Sequence, residues 1–127
     1  MKRKVLLLLT PLLIAATALD AFESVSNAFR AGDAKLLASY FGQTIDLTLL
    51  DKEDVFSKGQ AEMMLKDFFS KNPPKNFQIV HKGNSQEGTQ YGIGHLSTTN
   101  GKEFRVTFNS RSSGGKLIIN DLRIELD

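Results

Sequence analysis

Residues 91–110, YGIGHLSTTNGKEFRVTFNS, decide the fold. Two alternating apolar and polar runs flank Asn100-Gly101, a dipeptide suited to a two-residue type I′ hairpin because that turn needs positive φ at both positions. Such a turn sets Thr99 against Lys102. It predicts the cross-strand pairs Ser97-Phe104, His95-Val106, Ile93-Phe108 and Tyr91-Ser110, all on one face because side chains alternate along a strand.

The strand expected from Leu117 to Leu126 extends the same face. A two-residue Gly114-Gly115 loop would oppose Asp121 to Phe108 and Arg123 to Val106, placing charge among apolar side chains. A three-residue loop, Gly114 to Lys116, instead pairs Phe104 with Leu126, Val106 with Ile124, Phe108 with Leu122 and Ser110 with Asn120, which keeps the face apolar. The opposite face carries Glu103, Arg105, Thr107, Asn109, Asp121, Arg123 and Glu125, a charged ladder suited to water.

Working back towards the N-terminus, Phe77 to Lys82 reads as the first strand of this meander. Before it, Ser57 and Gln60 have capping-box spacing, Ala61, Met64, Leu65, Phe68 and Phe69 form a helical stripe, and Pro73-Pro74 ends the helix. The polar turn Asp51 to Asp54 leads through a short Val55-Phe56 segment to Ser57. From Thr44 the period is two, with Ile45, Leu47 and Leu49 inward and Asp46 and Thr48 outward. Further upstream lie two helices. Leu19, Phe22, Val25, Ser26 and Phe29 stripe the first, which Gly32 ends; Asp33 caps the second, whose buried face is Leu36, Leu37, Tyr40 and Phe41.

The first 18 residues read as a secretory signal peptide: Lys2, Arg3 and Lys4, an apolar run from Val5 to Ala15, and the small-residue site Ala16-Thr17-Ala18. Val5 to Ala18 falls short of the roughly 20 residues that a membrane-spanning helix needs. The expectation is one exported domain, residues 19–127, periplasmic or secreted and free of the membrane once the signal is removed. Removing three of the 16 basic residues leaves 13 against 14 acids, a balance of −1. No basic face remains for nucleic acid. There is no cysteine, so the core alone must hold the domain.

Two or three N-terminal helices, a strand, a capped helix and a four-stranded meander resemble the nuclear transport factor 2-like, cystatin-like superfamily. The stretch IDLTLLDKEDVFSKGQAEMMLKDFFSKNPPKNFQIVHKG, residues 45–83, is similar to domain-of-unknown-function family 4783 of exported Bacteroidetes proteins. The resemblance implies an α+β fold with N-terminal helices packed on a strongly curved antiparallel sheet. It also implies that a pocket can open at the wide end of the cone, while naming no activity.

The inward rows bring Tyr91, Ser110 and Asn120 together beside His95, and Tyr40 reaches towards them from the second helix. These five residues are the candidate ligand-binding site, with none assigned a catalytic role. Ketosteroid isomerase-like relatives place a carboxylate base facing the pocket from the first strand. Here the strand's only carboxylate, Asp46, points away from the helices. His81 and His95 without cysteine fall short of a zinc ligand set, and no glycine-rich phosphate loop is present, so no metal or cofactor is expected. The expected function is a non-enzymatic binding domain of the cell envelope for a small apolar ligand, a peptide or a protein. The alternatives are a cofactor-free isomerase or lyase using His95 with Tyr40 or Tyr91, and a structural interaction module. The charged outer face predicts a monomer or a weak, salt-sensitive homodimer.

Overall fold

The computed structural model describes residues 21–85 and 87–127. The expected signal peptide and Leu19 lie outside them. Helix α1 (Ala21–Ala31) buries Phe22, Val25, Ser26 and Phe29, the stripe its spacing predicts. Gly32 adopts φ +61°, which lets its amide return to the Phe29 carbonyl (3.1 Å) while Asp33 N–H reaches that of Ala28 (3.0 Å). Asp33 then caps α2 (Ala34–Ser39) by accepting from the Leu36 amide at 2.9 Å. Strand β1 (Phe41–Leu49) starts three residues earlier than expected, and β2 (Lys52–Ser57) is a full strand where the sequence suggested only Val55-Phe56. The Ser57–Gln60 capping box opens α3 (Lys58–Lys71). Strands β3 (Pro74–Asn84), β4 (Thr89–Thr98), β5 (Glu103–Ser113) and β6 (Lys116–Leu126) complete the chain.

The six strands form one sheet in the order β2-β1-β6-β5-β4-β3, with β1 parallel to β6 and the remaining neighbours antiparallel. The sheet is curved and the helices pack on its inner face. A chain of rings joins the two layers: Phe77 stacks on Phe29 at 4.9 Å, Phe29 meets the edge of Phe69 at 5.6 Å, and Phe68 meets Phe104 at 5.0 Å. These aromatic contacts add to the area they bury.

The Asn100-Gly101 hairpin forms, but its loop is one residue longer than expected. Gly101 has φ +84°, whereas Asn100 does not take positive φ, so the pair cannot make a type I′ turn. Thr98 N–H instead donates to Lys102 O at 3.1 Å around a loop of residues 99–101. Leu96 consequently opposes Phe104, and His95 opposes Arg105. This slip of one residue turns Tyr91, Ile93, His95 and Ser97 to the outer face and brings Gly92, Gly94, Leu96 and Thr98 inward.

Two features select this register. Asn100 uses its side chain as a clamp: Nδ2 donates to Lys71 O (3.1 Å) and Asn72 Oδ1 (2.8 Å), and Oδ1 accepts from Lys102 N (3.1 Å). The inward glycines make room for rings. A Cβ on Gly92 would stand 2.5 Å from Phe108, and one on Gly94 2.3 Å from Phe77. Asn100→Gly is therefore expected to lower stability by about 1–2 kcal/mol in chemical denaturation, through the lost bonds to Lys71 and Asn72. A type I′ asparagine would tolerate the same change.

The β5–β6 pairs agree with expectation from Phe104-Leu126 to Phe108-Leu122, but they are reached by another route. Gly114 and Gly115 take φ +57° and +77° in a two-residue turn between Ser113 and Lys116, and a bulge at Asn109/Ser110 restores the apolar register. Ser110 thus opposes Ile119, not Asn120.

The outermost strands have part of their backbone occupied. On β2, the Val55 amide donates to its neighbour's Asp54 Oδ1 at 2.8 Å, and the Ser57 amide donates to Gln60 Oε1 at 3.2 Å. On β3, Arg30 Nε donates to Phe77 O at 3.2 Å, and the pairing with β4 is irregular between Ile79 and His81.

Candidate functional site

The structure disperses the five residues that the sequence gathers. Tyr91 is 41% exposed on the outer face, 6.4 Å ring to ring from His81 and directly over Gly83. His95, also outward, has Nδ1 2.8 Å from Asp127 Oδ2 and Nε2 3.6 Å from Glu103 Oε1. Exposed pairs of this kind contribute about 0–1 kcal/mol. Ser110 is buried and donates to Gln90 O at 3.3 Å. Asn120 is exposed opposite the bulge. Tyr40 lines a hollow.

That hollow, about 470 Å³, lies where β1 and β6 diverge. Tyr40 ends α2, and its carbonyl accepts from the Ile119 amide at 2.8 Å, which fixes Phe41 opposite Ile119. The next parallel pair is Asp46-Asp121, so β1 advances five residues while β6 advances two. The intervening chain bows away from its neighbour. Into the gap face Phe41, Leu117 and Ile118, with the Gly114-Gly115 turn forming one lip and the start of α3 another. Gly42 adds to the space: a Cβ there would reach Ile118 Cγ2 only at 3.8 Å.

Sequence reasoning missed this site because its irregular backbone joins three segments distant in sequence. One local signal was present. Leu117, Ile118 and Ile119 are three consecutive apolar residues, and strict alternation can bury only part of such a run on one face.

A second hollow, about 520 Å³, opens on the outer face among Asp46, Glu53, Asp54, Asp121 and Arg123. Arg123 Nη2 lies 3.4 Å from Glu53 Oε1, and its Nε donates to Thr48 Oγ1 at 3.5 Å. Partial burial raises the pKa of Asp121; Arg123 opposes the shift, and Asp46 and Glu53 reinforce it. A raised folded-state pKa means that the residue's contribution to stability is complete in acid and declines as pH rises through that value. Asp121→Asn is expected to raise Tm at pH 7 by up to about 3 °C, with the gain vanishing below about pH 4. Thermal unfolding of both proteins across pH checks the sign. Among the described residues, no group of three His, Cys, Asp or Glu side chains is placed to hold a metal ion.

A groove of about 490 Å³ separates α1 from β3, lined by Phe22, Glu23, Ser26, Arg30, Ile79 and Lys82. Lys82 Nζ stands 5.1 Å from the centre of the Phe22 ring.

None of the curated proteins matches the chain. Two solved structures of DUF4783 family proteins are each 30% identical to it. The one from Bacteroides fragilis covers 85% of this chain and 100% of its own with a TM-score of 0.77. The other, from Bacteroides ovatus, covers 82% and 93% with a TM-score of 0.75. An NTF2-like protein of unknown function from Shewanella baltica, 14% identical, shares the fold at a TM-score of 0.62, covering 83% of this chain and 86% of its own. The model of the domain of unknown function DUF4783 matches residues 22–125. With its helices closed over a curved six-stranded sheet, the chain belongs to the DUF4783 family and has a nuclear transport factor 2-like fold.

Proposed function

We propose that the domain is a non-enzymatic binding module of the cell envelope whose ligand is a small, largely apolar molecule held beside Tyr40. The observation that carries this reading is the 470 Å³ hollow lined by Tyr40, Phe41, Leu117 and Ile118. Its volume lies in the range of small-molecule sites, and a few polar groups among apolar walls is their usual composition. The export component rests on residues 1–18, where a positive start, an apolar run and a small-residue site follow one another.

The preference for binding over catalysis rests on where the titratable groups stand. Ile45, Leu47 and Thr48 are the buried side chains at the centre of β1, while Asp46 is exposed. His95 and Tyr91 lie on the outer face, so the general acid–base pair considered with Tyr40 has no common space in which to act. Self-association would use the outer face, whose Arg105, Asp121, Arg123 and Glu125 make desolvation costly. We therefore favour a monomer or a weak, salt-sensitive dimer.

Titration with the neutral fluorescent probe N-phenylnaphthylamine tests the hollow. Leu117→Gln is expected to weaken probe binding about tenfold while the circular dichroism spectrum is kept. Equal binding by the variant would place the probe elsewhere and remove the reading. Native mass spectrometry of protein from its own periplasm would then identify the natural occupant.

A further inference from the structure

Resting on the reading of the Tyr40 hollow as a ligand site, we infer that its ligand is an anion: an apolar molecule ending in a carboxylate or a comparable acidic group. The charged side chains lining the hollow are Lys58, at the start of α3, and Lys116, at the start of β6; no aspartate or glutamate lines it. Two other hollows of similar size differ in kind. The outer-face hollow sets Asp46, Glu53, Asp54 and Asp121 against Arg123, and the α1–β3 groove mixes Glu23 with Arg30 and Lys82. In a domain with 13 basic and 14 acidic residues from residue 19 onward, a lining charged with lysine alone is a local departure from the balance.

Among the described residues, neither lysine makes an ion pair. The pairs are those of Lys71, His95 and Arg123, so Lys58 and Lys116 keep their ammonium groups available. Both are exposed at the mouth, while Phe41 is buried and Tyr40, Leu117 and Ile118 are half-buried. A ligand that puts its tail against the apolar walls therefore brings its head to two cations still in contact with water. A hydrated ammonium makes a point-charge contact and does not impose a planar geometry, so the site selects for negative charge more than for one acid's shape.

Displacement of N-phenylnaphthylamine by two ligands of equal chain length, decanoate and decanol, tests the inference. Decanoate is expected to compete about tenfold better than decanol in low salt, and its advantage should shrink in high salt. In the Lys58→Gln/Lys116→Gln double variant, the two should compete to within about twofold of each other, with decanol unchanged. Both substitutions are at exposed positions, and circular dichroism should report an intact fold. Equal competition by decanoate and decanol in the unmodified protein would overturn the anionic assignment and leave the apolar site standing. A preference for decanoate that persists in the double variant would overturn it too, because the charge would be read elsewhere. Failure of the probe and of both ligands to bind would remove the hollow as a ligand site, and this inference with it.

Discussion

Replacing Phe29 by alanine is expected to lower Tm by at least about 12 °C. The side chain is fully buried on α1, stacks on Phe77 of β3 at 4.9 Å, and receives the edge of Phe69 of α3 at 5.6 Å. No neighbour can move in from one side without leaving the other, so the space left by the ring stays largely empty. Truncating a buried phenylalanine costs about 3–5 kcal/mol. Each kcal/mol moves Tm by about 4–8 °C in a domain of this size. Thermal unfolding followed by circular dichroism checks the shift, with Met63→Ala as the comparison. Met63 is 74% exposed, and its loss should change stability by no more than about 0.5 kcal/mol. A comparable small loss for Phe29→Ala would mean that the three rings do not form the centre of the core.

Adding a single methyl group on the opposite wall is expected to cost about 2 kcal/mol. A Cβ on Gly94 would stand 2.3 Å from Phe77 Cζ and 3.2 Å from the Gln78 carbonyl oxygen. The backbone of Gly94 is not in the left-handed region, so alanine can adopt it, and reduced freedom of the unfolded chain returns about 0.4–1 kcal/mol. Overpacking, at about 1–3 kcal/mol, outweighs that gain because the obstructed ring is already backed by Phe29. The mechanism makes a sharper demand. Once Phe77→Ala has removed the ring, Gly94→Ala should cost nothing or become mildly stabilising, leaving a coupling of about 2 kcal/mol in the double-mutant cycle. Additive losses in urea unfolding would show that the ring is not what excludes a side chain from position 94.

These two sites also explain what was legible in the sequence. Gly32, Asp33 and the Ser57–Gln60 pair announced the helix ends because capping is settled within a few residues. The β5–β6 rows were legible because Phe104, Val106 and Phe108 meet Leu122, Ile124 and Leu126, a match that one slip would destroy. On β4 the equivalent information is missing. Gly92 and Gly94 have no side chain to declare a face, so Ile93 and His95 looked like the better inward set, and the Asn-Gly turn rule supported the wrong register. What decides it lies beyond β4 itself, in the Phe77 and Phe108 rings and in the bonds from Asn100 to the end of α3. The candidate site failed for the same reason, since four of its five residues depended on that register or on the unforeseen bulge at Ser110. Strand β2 was obscured by its exposure, because Lys52 to Val55 are all exposed and show no periodic burial. The Tyr40 hollow depends on the divergence of β1 from β6, which is a property of the pairing and not of either strand alone.

The occupied amides of β2 have a consequence for how molecules of this protein meet one another. An open strand normally offers a template on which another chain can polymerise, and a long flat one invites stacking into fibres. Here Asp54 and Gln60 have taken two of the donors that a docking strand would need, and on β3 Arg30 holds the Phe77 carbonyl next to an irregular stretch of backbone. Growth by strand addition would first have to break these bonds at either end. A concentrated solution of the folded domain therefore lacks a ready seed, and recognition by β-augmentation is disfavoured in the same stroke. The bonds at its two edges favour six strands that remain a finite sheet.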